Sequence, residues 1–95
     1  MKIMHLIDVT NTYSDLVQNQ LNSTSAQYIK VYSLGNSSVV YTETDSDIEI
    51  VIENHDRKIK DEEVEFLIRR LIHDDRSYDI TIDKTKKIIA ITCKK

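Results

Sequence analysis

With 95 residues, 40% of them hydrophobic and 31% charged, the chain has the size and apolar content of a single domain over residues 1–95, with a core that needs no metal or disulfide staple. One glycine and no proline exclude a glycine-rich phosphate loop and a dinucleotide fingerprint, because both need several residues without Cβ to bring backbone amides onto a phosphate. A net charge of −3 with both signs interspersed lacks the basic footprint of a nucleic-acid binder, and no stretch approaches the roughly 18 consecutive apolar residues of a membrane span.

Residues 3–9 are apolar apart from His5 and Asp8, which reads as a central strand with His5 hydrogen-bonded among Ile3, Ile7 and Val9. Thr10, Asn11 and Thr12 are capping residues, and Thr12 with Asp15 has the capping-box spacing. A first helix with a thin stripe of Tyr13, Leu16, Val17 and Leu21 is therefore predicted to end near residues 22–24. Tyr28 to Leu34 and residues 38–44 flank Gly35 and Asn36, a two-residue hairpin turn with glycine at positive φ. That pairing puts Tyr28, Lys30, Tyr32 and Tyr41 on one face and Ile29, Val31 and Val40 on the other.

Asp47 to Glu53 alternates without a fault, so Ile48, Ile50 and Ile52 share a buried face. A second helix over residues 60–73 follows from Val64, Leu67, Ile68, Leu71 and Ile72 at helical spacing, from Asp61, Glu62 and Glu63 in its first turn, and from Glu65 placed to pair with Arg69. Tyr78, Ile80 and Ile82 then alternate with polar residues, and residues 88–93 return after the polar turn 84–87. The elements give an α+β two-layer sandwich of order β-α-β-β-β-α-β-β, with both helices on one face of a mixed sheet.

Val9 to Ser14, Lys30 to Asn36 and Glu63 to Phe66, taken together, resemble segments of a small family of uncharacterised cytoplasmic proteins from low-GC Gram-positive bacteria, a domain of unknown function. The resemblance covers nearly the whole chain. It implies a bacterial cytosolic setting and brings no catalytic residue. Cys93 without an intramolecular partner, and the absence of a signal-peptide pattern ahead of Lys2 and Asp8, point to the same compartment.

No residue is assigned to catalysis, to a cofactor or to a metal: His5, His55 and His73 show no ligand spacing with Cys93, which reads as a small hydrophobe of the last strand. The favoured function is a non-catalytic protein-interaction or self-association domain, with a protein partner or a second copy as its ligand. Phe66 lies opposite the apolar stripe of the second helix beside Glu62, Arg69, Arg70 and His73, and is expected to face solvent as an interface anchor. Tyr28, Tyr32 and Tyr41 are the second set of contact candidates. Two alternatives stand beside this reading: a small enzyme at a polar sheet edge gathering Asp8, Asn11 and His55, and a single-stranded nucleic-acid binder using the tyrosine face, which the nearby acids disfavour.

Overall fold

Strict alternation of β-formers around one glycine builds the centre of the molecule. In the computed structural model, which describes residues 4–72 and 77–95, β2 (Tyr28–Leu34), β3 (Ser37–Glu43) and β4 (Asp47–Glu53) form an antiparallel meander. Tyr28 lies opposite Glu43, Tyr32 opposite Val39, and Tyr41 opposite Ile50. Gly35 has φ +57° and Asn36 does not share the positive sign, the pattern of a turn with glycine first.

β5 (Tyr78–Ile82) and β6 (Ile88–Lys94) close a hairpin whose turn is organised by Asp83. Its carboxylate accepts the amides of Lys87 and Ile88 and the hydroxyl of Thr85. Strand β1 (Leu6–Asp8) pairs with β2. The six strands lie in the order β1-β2-β3-β4-β6-β5, and every neighbour is antiparallel.

The protein is thus α+β with the expected element order, but three features differ from expectation. The sheet is not mixed. β4 and β5 do run in the same direction on either side of helix α2 (Asp61–Leu71), yet β6 occupies the slot between them and is antiparallel to both.

Nor do the helices share a face. Helix α1 (Ser14–Ser23) places Val17 in a cluster with Ile29 and Val31, flanked by Val9, Leu21 and Val40. On the opposite face Val64 and Leu67 of α2 join Leu34, Val39, Ile48, Ile50, Ile52, Ile89 and Ile91 in the main core. Because β2 is apolar on both sides, each side needs its own cover, and the layers number three where the sequence reading has two.

Finally, β1 is a three-residue edge strand with Ile7 58% exposed, where a central strand was expected. The chain leaves the ladder at Asp8, whose carboxylate accepts the amide and hydroxyl of Thr10 and so starts a 3₁₀ turn over Thr10–Tyr13. That turn, rather than a box between Thr12 and Asp15, leads into α1, whose N-cap Tyr13 makes no side-chain cap.

Candidate interaction surface

Concentrated chemistry and exposed apolar surface occur at several places among the described residues. The first is a buried polar junction where the β2–β3 turn, the segment after β4 and the start of α2 meet. Glu63 is 6% exposed, and its carboxylate receives Arg57 at 2.8 and 3.2 Å, the main-chain amide of Lys60 at 3.0 Å and the hydroxyl of Ser37. Asn54, also buried, donates to the Ser37 hydroxyl and accepts the amides of Asp56 and Arg57. Burial pushes the Glu63 carboxyl up, but Arg57 and the Lys60 amide outweigh it and hold the group below its ordinary value of 4.5. Such a carboxylate is ionised at neutral pH and unsuited to general acid–base work. It orders the loop into α2 instead, with Glu63 at the third helical position reaching back to the residue before the helix.

A cavity of about 510 Å³ opens beside this junction, lined among others by Met4, His5, Leu34, Arg57, Lys60 and Glu62. His5 is exposed on its wall, in contrast to the satisfied core histidine expected. The strand that was to bury it begins one residue later and lies at the sheet edge.

The second place is the tyrosine face. Tyr28 and Tyr41 meet edge to face at 6.1 Å, and the Lys30 ammonium stands 5.9 Å from the Tyr28 ring. Lys30 is also 3.3 Å from Asp8, whose carboxyl is held below its ordinary value by the Thr10 hydroxyl and amide and by Lys30. Tyr41 donates to Glu43 at 3.0 Å, and Glu43 in turn meets Lys95 at 3.2 Å. Burial, together with that carboxylate, pushes the Tyr41 hydroxyl well above its usual value. Tyr32 is half-buried against the main core. Lys30 and Lys95 on this face each have an acid beside them, which weakens any attraction for phosphate.

The third place is the outer side of α2. Glu62, Arg69 and Arg70 are exposed; Arg69 lies 3.9 Å from Glu65, and Arg70 borders a shallow depression with Leu6, Asp8, Tyr32 and Leu71. Phe66, however, is half-buried and packs against the main core, not outward as expected. Because Glu63 is buried by its polar partners, the inward arc of α2 centres on Glu63, Val64 and Leu67 and carries Phe66 to its border. His73 lies outside the described residues.

The fourth place is strand β5. Tyr78, Ile80 and Ile82 point to the α2 side of the sheet but beyond its cover, at 44%, 42% and 52% exposure. Sequence alternation identified this apolar row, but not its place at the end of the sheet. The reading of Asp8, Asn11 and His55 as one polar edge fails on strand direction: β1 and β4 run in opposite senses, so their following segments leave at opposite ends. His55 contacts Glu53 at 2.9 Å and is almost fully exposed. Cys93 is buried in the main core, as a small hydrophobe should be. Among the described residues no group of three or more His, Cys, Asp or Glu could hold a metal ion, and no helix is long and apolar enough to cross a membrane.

Fold and surface together define an antiparallel α+β protein covered by one helix on each face, its apolar strand β5 open at one edge. The chain belongs to the family described as Domain of unknown function (DUF1827), which it matches over residues 4–94. It is also similar to a solved structure described as the crystal structure of a conserved protein of unknown function from Streptococcus thermophilus LMG 18311. Identity to that chain is 34%, 97% of each chain is covered, and the TM-score is 0.84. The resemblance read from the three sequence segments is therefore the family relation itself. Comparison with curated proteins gives no match.

Proposed function

We propose that this chain is a non-catalytic protein-interaction domain acting in the bacterial cytoplasm. The observation that carries the reading is β5, which among the described residues is an edge strand with three large apolar side chains exposed in a row and no strand paired to its outer side. Native edges are usually shortened, charged, bulged or covered. The β1 edge is shortened to three residues ending in the Asp8–Lys30 ion pair, whereas β5 runs five residues with its one charge, Asp79, on the face away from the apolar row. The free, buried Cys93 and the Streptococcus relative support the compartment.

A photo-reactive amino acid at Ile82, compared with one at the exposed Gln18 of α1, tests this in cells producing the protein. The expected result is an adduct at Ile82 alone, with its protein partner identified by mass spectrometry. Equal labelling at both sites, or none at either, would overturn the reading.

A further inference from the structure

We propose that the partner of β5 is a second copy of this chain, its own β5 paired antiparallel about a two-fold axis at Ile80. The inference rests on reading β5 as an interaction strand, and it adds the identity of the partner and the register.

The hydrogen-bond phase of the hairpin decides which groups face outward. Asp83 donates its amide to the carbonyl of Ile88 at 3.1 Å, and this pair continues the register in which Ile82 faces Ile89. Antiparallel ladders alternate bonded and non-bonded pairs, so Thr81 and Asp79 bond inward to β6. Tyr78, Ile80 and Ile82 then turn their N–H and C=O groups to the open edge. The three residues of β5 with exposed apolar side chains are thus also the three whose main chain faces the outer edge, where no strand is paired among the described residues.

An identical strand can meet these groups in few ways. Centred on Ile80, each Tyr78 faces Ile82 of the other copy and Ile80 faces Ile80, so one face carries an unbroken apolar row. On the other face Asp79 lies opposite Thr81, a hydroxyl that can donate to it. Slipping by two residues in one direction puts Asp79 opposite Asp79, and in the other direction opposite Asp83, each a like-charge pair across the ladder. Charge therefore selects the register centred on Ile80.

The two-fold closes on itself, joining two six-stranded sheets and leaving the short β1 strands as the outer edges. The contact is one five-residue strand with three side chains from each copy, at the small end of specific interfaces, so the dimer should be weak and concentration-dependent.

Sedimentation of wild type, Ile80→Lys, Thr81→Lys and Thr81→Asp over a range of concentrations tests the proposal, with circular dichroism to establish that each variant is folded. Wild type should move from 11.1 kDa towards twice that mass as concentration rises, and Ile80→Lys should stay at 11.1 kDa. Thr81→Lys faces Asp79 of the other copy twice and should tighten the dimer about threefold, whereas Thr81→Asp should weaken it about tenfold.

A wild-type mass fixed at 11.1 kDa up to the solubility limit would overturn self-association. Equal changes of one sign for Thr81→Lys and Thr81→Asp would overturn the register. If the chain is monomeric yet Ile82 crosslinks to a different protein, the second copy is wrong and the interaction domain stands; if it is monomeric and Ile82 crosslinks to nothing, both fall.

Discussion

A carboxylate held between a guanidinium, a main-chain amide and a serine hydroxyl gains stability only while it is ionised, and Glu63 is such a group. Its pKa is lowered on folding, as are those of Asp8, Asp47 and Asp83 through their hydrogen-bond partners. For a lowered pKa the contribution is complete above the unfolded values of 4.5 and 3.8 and disappears as pH falls through the lower folded values. Stability measured by urea unfolding should therefore be level from about pH 7 to about pH 5 and fall towards about pH 3. Glu63→Gln should cost about 2–3 kcal/mol at neutral pH and flatten that acid slope; an unchanged slope would remove Glu63 from its cause.

Two apolar residues separate full burial from half burial. Ile50 is completely enclosed in the main core, and Ile50→Ala should cost about 2–5 kcal/mol. Phe66, at the border of α2, should cost less on truncation: about 1–2 kcal/mol for Phe66→Ala in the same unfolding measurement. A value near zero would return it to the surface.

Among the elements, alternation alone gives β4 its bounds to the residue and helical spacing places α2 to within two residues at either end, because each carries an unbroken apolar pattern, while the alternation of Tyr78, Ile80 and Ile82 marks β5. The Gly35 turn was legible for a different reason, its requirement for positive φ. An added Cβ there meets nothing within 4 Å, so Gly35→Ala should cost only the conformational penalty, about 1–2 kcal/mol in thermal unfolding. A larger loss would indicate contacts that the static turn does not reveal.

What periodicity cannot express is which strand lies beside which. The mixed sheet depended on β5 lying beside β4, and β6 takes that place. The common helix face fails because β2 is apolar on both sides, and the site joining Asp8 to His55 fails because β1 is antiparallel to β2. The buried arc of α2 departs from its apolar stripe at Glu63, because a charged residue is buried only by partners that helical spacing does not contain. Arg57 and Ser37 are remote enough in sequence, or polar enough, to give no warning.

At the scale of the whole molecule, the charge of −3 and the paired acids of the tyrosine face set the expectation for nucleic acid. Fluorescence anisotropy with single-stranded oligonucleotides should show no binding at physiological salt, and submicromolar, salt-dependent binding lost in Tyr28→Ala would contradict this.

Sheet order also constrains how the protein is made. β6 is the latest strand in the chain but stands between β4 and β5, paired to each along its length. During synthesis, β4 therefore waits with Ile48, Ile50 and Ile52 on an open edge while α2 and then β5 emerge with no strand to receive them. Until residues 88–94 arrive, the growing chain displays two unpaired edges where the finished molecule has continuous sheet, and this interval is the one in which a chaperone or a protease has most to recognise.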